Sequence, residues 1–149
     1  MKKLKQLILA VVIFMTCGVA FAINFDSMAP YPQFVSWEVE GSTQQPIKFI
    51  RGNTINMYFC AEAPCDIMEL NMKIEIILMG VTQDIPLPKK ADEYLHNCRL
   101  PIRKGDILYV QLPINVKTTA PSITGHFAVK LDNEYGECIA GGKCGFKII

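Results

Sequence analysis

The sequence predicts an all-β fold, an antiparallel β-sandwich, on three observations. Apolar and polar residues alternate with the period of two that places strand side chains on opposite faces. The clearest run extends from Met68 to Leu78, where the even-numbered residues are all apolar. Turn residues such as Arg51-Gly52-Asn53 separate the runs, and no window carries a helical stripe. About seven short strands with one apolar face each are typical of two packed sheets.

The other predicted strands share the same alternation or are apolar on both faces. They are centred on Val35, Trp37 and Val39; Ile55, Met57 and Phe59; Ile107–Leu112; Ile123, Phe127, Val129 and Leu131; and Phe146 with Ile148. Turn signals at Ala63-Pro64, Lys104-Gly105-Asp106, Asp132-Asn133 and Gly141-Gly142 lie between them. The stretch from 82 to 103 is the least regular, which is typical of a functional loop.

One segment gives the strongest indication of function. The apolar strand Ile74–Met79 stops at Gly80, and Ile85-Pro86-Leu87-Pro88 follows. Proline lacks the N–H that a central strand donates, so we expect the chain to leave the sheet here and run along an edge or rim. Apolar side chains between the prolines either cap a core or line the mouth of an apolar cavity. The second option indicates a lipid ligand.

Residues 1–22 have the three parts of a secretory signal peptide. Lys2, Lys3 and Lys5 form a positive region, an apolar stretch from Leu7 to Phe14 follows, and Ala20-Phe21-Ala22 offers a cleavage site between small residues. We therefore expect cleavage after Ala22 and one mature domain, residues 23–149. The expected location is outside the cell or in the endolysosomal lumen.

The mature chain carries little net charge. It has twelve Lys plus Arg against fourteen Asp plus Glu, a balance of −2, which gives no indication of nucleic-acid binding. The two His residues lie outside any G-x-S-x-G or H-E-x-x-H context, so we predict no enzyme activity and no cofactor. Five Cys residues remain after processing, and an exported protein favours disulfides over zinc here, because neither close pair has a two-residue gap.

Several fragments, in their order and spacing, resemble the ML lipid-recognition domain family, most closely its Niemann–Pick type C sterol-carrier branch. The fragments are Ile77-Leu78-Met79-Gly80-Val81, Ile85-Pro86-Leu87-Pro88, Asn97-Cys98, Leu112-Pro113-Ile114, Ala120-Pro121-Ser122-Ile123 and the final strand. The resemblance covers Ile74–Ile149 well and the preceding residues thinly. It implies an immunoglobulin-like sandwich of two antiparallel sheets with an apolar, lipid-binding cavity between them.

The resemblance also implies a set of lipid-contacting positions. Ile85 and Leu87 match apolar residues at the cavity mouth, Ile114 matches a lining residue, and Ala120 stands where the sterol carriers have an aromatic side chain. That small residue, together with a longer link from Asn115 to Thr119, would widen the mouth. The full candidate set is Ile85, Pro86, Leu87, Ile114, Ala120, Pro121, Met57, Phe59, Leu78 and Phe127. The Met-rich face that includes Met57 fits an adaptable cavity lining, but taken residue by residue it favours ordinary core.

The cysteines depart from the family pattern. The N-terminal Cys of the family has no counterpart here, and the loop before Cys98 contains no partner for it. From proximity in sequence we predict that Cys60 pairs with Cys65 and Cys138 with Cys144, which leaves Cys98 as a free thiol.

The predicted function is therefore to bind or transfer a lipid, whether a sterol, a fatty acid or a phospholipid, with transient membrane contact. An accessory subunit that presents lipid to a protein receptor or a hydrolase is the alternative, and a plain sandwich without a cavity is a third. The basic residues near the rim fit either an anionic membrane surface or a solvated loop: Lys89, Lys90, Arg99, Arg103 and Lys104.

Overall fold

The computed structural model describes residues 20–96 and 98–149. In this part of the chain the regular elements are nine strands and one short 3-10 helix. They are β1 (Ala20–Ala22), β2 (Ser36–Glu40), β3 (Ile47–Phe49), β4 (Thr54–Glu62), β5 (Leu70–Leu78), β6 (Val81–Ile85), the 3-10 helix (Ala91–Tyr94), β7 (Ile107–Asn115), β8 (Thr124–Asn133) and β9 (Cys138–Ile148). The predicted signal peptide lies outside the described residues except for its last three, which form β1.

The first sheet has four strands in the order β1-β2-β4-β7, and every pair in it is antiparallel. Its long central pair runs from Thr54 opposite Asn115 to Glu62 opposite Ile107. The predicted alternation places Met57 and Phe59 on the inner face, opposite Leu112 and Val110.

The second sheet has five strands in the order β3-β9-β8-β5-β6. Its pairs are antiparallel except that β3 runs parallel to β9. The two sheets pack face to face, so the predicted all-β sandwich is confirmed. No helix among the described residues has the length and hydropathy needed to cross a bilayer.

The chain does not leave the sheet at Gly80, which corrects our expectation for this segment. Met79 and Gly80, with φ of 50° and 80°, form a tight turn, and β6 pairs back along β5 from Val81 to Ile85. Two left-handed residues in a two-residue loop match the twist of an antiparallel hairpin. The chain departs one residue after Ile85, at Pro86, where no N–H remains to donate. The sequence did not predict β6, because four of its five residues are exposed and it lacks an apolar face.

An aromatic cluster fills the centre of the sandwich. Trp37 is fully buried, and its ring centroid lies 4.8 Å from that of Phe59 and 6.3 Å from that of Phe127. Phe34 packs at 5.0 Å from Phe59, and Phe49 at 5.8 Å from Phe127. Aromatic rings at these separations add packing energy to their burial. The cluster therefore holds the two sheets together near β2, β4 and β8.

The sandwich has two distinct ends, the Arg51 end and the cleft end. At the Arg51 end, the backbone N–H of Arg51 donates to the last carbonyl, that of Ile149, at 3.1 Å. At the opposite end, called the cleft end, Ile67 and Ile102 exchange two backbone hydrogen bonds of 2.7 and 2.9 Å. Strand β5 begins at the cleft end and finishes at the Arg51 end, and β7 runs in the same direction.

Candidate functional site

One side of the gap between the sheets is bounded by two edge strands, β6 and β7. The segment 86–96 crosses from one edge to the other, and its 3-10 helix contacts both β5 and β7. Leu95 forms a β-bridge with Val110, and the N–H of His96 donates to the carbonyl of Tyr109 at 2.8 Å. Tyr94, the last residue of the 3-10 helix, is buried. The segment therefore covers the gap between the sheets and positions the apolar residues along it.

The sequence-predicted mouth residues lie along this covered gap. Ile85, Leu87, Leu78, Ile114 and Ala120 are all half-buried and pack against the core. Pro86, which lies between Ile85 and Leu87, is exposed, and so is Pro121, which follows Ala120. Apolar side chains that stay partly accessible in this way are typical of a ligand-lined opening.

These residues do not meet at one point. Ile85 pairs with Ile74 near the middle of β5, and Leu87 lies beyond it toward the cleft end. Ile114 pairs with Ile55 near the Arg51 end, where Leu78 also lies. The candidate set therefore follows the sheet edges over their length.

Three further candidates stand in the packed core. Met57, Phe59 and Phe127 have exposed fractions of 0%, 1% and 0%. Phe59 and Phe127 belong to the aromatic cluster around Trp37. A ligand reaches these side chains only if the sheets separate locally, so their contact with lipid stays a prediction.

A cleft of about 670 Å³ opens at the cleft end, between the start of β5 and the segment 87–92. Its lining is Met68, Glu69, Leu70, Asn71, Met72, Leu87, Lys89, Lys90, Ala91, Asp92 and Leu100. Of the predicted mouth residues, Leu87 is part of this lining. Leu70 and Met72 belong to the predicted apolar face of β5, but nothing in the sequence indicated that Leu100 would fold back beside them. The volume lies within the range of about 300–1,000 Å³ that is usual for small-ligand sites.

Arg51 ties down the loop that carries Ala120, and the sequence marked it only as part of a turn. Its Nε donates to the carbonyl of Ala120 at 2.6 Å, and its guanidinium also donates to the hydroxyl of Ser122. The next residue, Gly52, donates its backbone N–H to Val116 at 2.7 Å. Hydrogen bonds from a charged group are worth about 1.5–3 kcal/mol. Arg51 therefore fixes the loop at that end of the gap.

The five described cysteines are free thiols, and their positions correct the predicted pairing of Cys138 with Cys144. Both lie in the continuous strand β9, six residues apart. At a rise of about 3.3 Å per residue their Cα atoms are roughly 20 Å apart, whereas a disulfide needs less than about 7 Å. Nearness in sequence misled the prediction because an extended strand separates its residues as far as the chain allows.

The predicted Cys60–Cys65 pair is not joined either, and the two thiols have different neighbours. Cys60 faces away from the core in a cluster with Tyr58, Ile107 and Tyr109, against which Cys98 packs. Cys65 accepts a hydrogen bond from Asn133 Nδ2 at 3.5 Å. Cys98 is a free thiol whose Sγ contacts both the N–H and the carbonyl of Tyr109, at 3.5 and 3.7 Å.

Burial predicts which thiols react. It raises the pKa of Cys60 to about 12 and the pKa of Cys144 further above its ordinary value. Because the thiolate is the nucleophile and both side chains are buried, they should resist alkylation at neutral pH. The half-exposed Cys65, Cys98 and Cys138 should be labelled before them, although burial also raises the pKa of Cys65 and Cys98. Timed labelling of the reduced protein, followed by peptide mapping, measures the order, and urea-unfolded protein is the control. Labelling of Cys144 as fast as Cys138, or a Cys138–Cys144 bridge in non-reducing maps, would contradict the arrangement of β9.

Within residues 20–96 and 98–149, no group of three or more His, Cys, Asp or Glu side chains is placed to hold a metal ion. The arrangement of the gap instead offers apolar contact area, a partly open edge and charged side chains at the cleft end.

The fold is shared with two solved structures. A Niemann-Pick type C2 protein from the Japanese carpenter ant superposes with a TM-score of 0.77 at 18% sequence identity, over 85% of this chain and 99% of that one. Chicken MD-1, solved in complex with lipid IVa, superposes with a TM-score of 0.51 at 17% identity, over 81% and 86% of the two chains. No family model and no curated protein matches the sequence significantly. The resemblance to the ML domain is thus confirmed at the level of the fold.

Proposed function

We propose that this chain is a lipid-binding protein that shields the apolar part of a sterol, fatty acid or phospholipid between its two sheets. The observation that carries the proposal is the row of half-buried apolar side chains along the gap, from Leu87 through Ile85 to Leu78 and Ile114. The folds of the ant and chicken proteins support it, and the chicken protein was solved with a lipid.

The energetics of the proposal are sufficient without covalent chemistry. Burial of a methylene group contributes about 0.8 kcal/mol, so a chain of sixteen carbons gains about 13 kcal/mol before the cost of association. The side chains act by shape and apolarity, and no catalytic group or cofactor is part of the proposal.

We further propose that residues 1–22 direct export and are removed after Ala22, so that the protein acts outside the cell or in the endolysosomal lumen. Cleavage there removes β1 and leaves β2 at the edge of the first sheet. The new N-terminal residue, Ile23, stays attached, because its backbone N–H donates to the carbonyl of Trp37 at 2.9 Å.

Membrane contact is proposed at the β5–β6 turn. Met79 is fully exposed and Val81 is 69% exposed, so two apolar side chains project at the Arg51 end. Exposed apolar residues at a turn can enter the interfacial region of a bilayer during lipid pickup.

The alternative is an accessory subunit that presents bound lipid to a receptor, and the same exposed turn fits a protein partner. Vesicle assays separate the two functions. A carrier moves fluorescent fatty acid or sterol from donor to acceptor vesicles in proportion to its concentration. A presenting subunit extracts lipid but leaves it bound, so extraction without transfer would favour the alternative.

Arg51 should control how fast a bound lipid leaves. Arg51→Ala removes both side-chain bonds to the loop that carries Ala120, so we expect lipid release to accelerate about tenfold, the equivalent of about 1.4 kcal/mol. Stopped-flow transfer of a fluorescent lipid to excess vesicles measures the rate. Arg103→Ala is the matched control, since the Arg103 side chain is exposed at the opposite end. Equal lipid release rates for the two variants would show that Arg51 does not control release.

A further inference from the structure

The cleft at the cleft end combines an apolar floor with charges of both signs at its rim. The floor is formed by Leu70, Met72, Leu87, Ala91 and Leu100, all buried or half-buried. Such a lining favours a hydrocarbon chain, since each methylene that enters leaves water for an apolar contact.

The charges at the rim are distributed unequally between its two walls. The segment after β6 supplies the exposed Lys89 and Lys90, with Asp92 close behind them in the chain. The β5 wall supplies Glu69. A further carboxylate, that of Glu134, accepts hydrogen bonds from the backbone N–H groups of Met68 and Glu69, at 3.1 and 3.4 Å. The lining of one wall is thus mainly basic, and the lining of the opposite wall carries the carboxylate of Glu69, with Glu134 hydrogen-bonded behind it.

Glu93 does not alter this division. Its carboxylate accepts a hydrogen bond from the backbone N–H of Lys90 at 2.9 Å and so caps the 3-10 helix, and Glu93 is not part of the cleft lining, whereas Lys90 is. A ligand with a net negative headgroup would meet the carboxylates of Glu69 and Asp92 as well as the lysines. The uncharged hydroxyl of a sterol would form an ion pair with neither the lysines nor the carboxylates. A headgroup with separated positive and negative charges fits both walls.

We propose that this cleft binds a single-chain zwitterionic phospholipid, with its phosphate toward Lys89 and Lys90, its ammonium group toward Glu69, and its chain on the floor of Leu70, Met72 and Leu87. The inference rests on the proposed lipid-binding function and specifies its substrate class. It also assigns the headgroup to the opposite end of the gap from Ala120.

Titration calorimetry with monomeric lipids tests the proposal on the mature protein. The probes are palmitoyl lysophosphatidylcholine, palmitoyl lysophosphatidylglycerol and palmitate, which share a chain and differ in headgroup charge. We expect the choline lipid to bind about tenfold more tightly than the other two, because exposed charge pairs each contribute a factor of a few. Equal or tighter binding of the anionic lipids would overturn the assignment, and this comparison needs no variant.

Variants locate the headgroup. Lys89→Gln with Lys90→Gln should weaken lysophosphatidylcholine binding several-fold and leave palmitate binding less affected, and Glu69→Gln should weaken only the choline lipid. Lys48→Gln with Lys147→Gln is the matched control, because these exposed lysines pair on β3 and β9, far along the second sheet. Unchanged affinity in the Lys89 and Lys90 variant would overturn the site. If sterol or fatty acid binds but lysophosphatidylcholine binds no more tightly than palmitate, or binds equally well to the substituted proteins, the proposed function stands and this inference fails; if no lipid of any class binds, both fail.

Discussion

Ile85→Asp should nearly abolish lipid uptake while the sandwich stays folded. Ile85 lies at the edge of the second sheet, half-buried against the core and opposite Ile74. A carboxylate there must lose its water when a lipid chain passes, at a cost of about 3 kcal/mol, which corresponds to a loss of affinity of about 100-fold. Extraction of a fluorescent fatty acid or sterol from vesicles measures the effect.

The matched control is Thr82→Asp, which places the same charge on the same strand at an exposed position. It should leave uptake within a factor of two of the parent. The single tryptophan, Trp37, reports folding of both variants through its fluorescence. A folded Ile85→Asp variant that takes up lipid as well as the parent would place the site elsewhere.

Phe127→Ala should cause a large loss of stability. The ring is fully buried between Trp37 and Phe49, at centroid distances of 6.3 and 5.8 Å. Truncation of such a ring costs about 3–5 kcal/mol, because apolar contacts are lost and a cavity remains. A domain of this size has about 5–15 kcal/mol in total, so the variant should unfold at much lower urea concentration.

Phe25→Ala is the comparison for Phe127→Ala, because the Phe25 ring also packs on Trp37, at 5.8 Å, but is half-buried. Its truncation should cost less than half as much. Urea unfolding followed by Trp37 fluorescence gives both values. A different result is a loss of under about 1 kcal/mol in the free energy of unfolding of Phe127→Ala, together with tighter lipid binding. In that case Phe127 lines the lipid cavity, and the packed centre is the closed form of that cavity.

The strands with an apolar face were predictable because burial on one side imposes the alternation. β4, β5, β7 and β8 follow their predicted runs closely, with Phe59 and Leu112 on the inner face as expected. β3 and β6 were not predictable in this way, since each is short and lies at a sheet edge. Their register depends on backbone pairing with a neighbour, which leaves little pattern in the sequence.

The sequence predicted which residues belong to the candidate site better than it predicted where they lie relative to one another. The resemblance indicated Ile85, Leu87 and Ile114, and all three are half-buried along the gap. The cleft depends on Leu100 folding back toward Leu70, a contact between residues far apart in the chain. The role of Arg51 depends on a loop about 70 residues later, so neither feature had a local signal. The disulfide prediction erred for the same reason, because spacing along a chain does not give distance in a strand.

The folded protein should hold a lipid when it is isolated, and native mass spectrometry of the mature protein purified without detergent measures this. We expect a species heavier than the bare chain by the mass of one lipid, which is lost on collisional activation and identified in the organic extract. In the Ile85→Asp variant the same species should be largely absent. A parent protein that carries no lipid, and acquires none after incubation with sterol, fatty acid and phospholipid vesicles, would rule out lipid binding as the function of this chain.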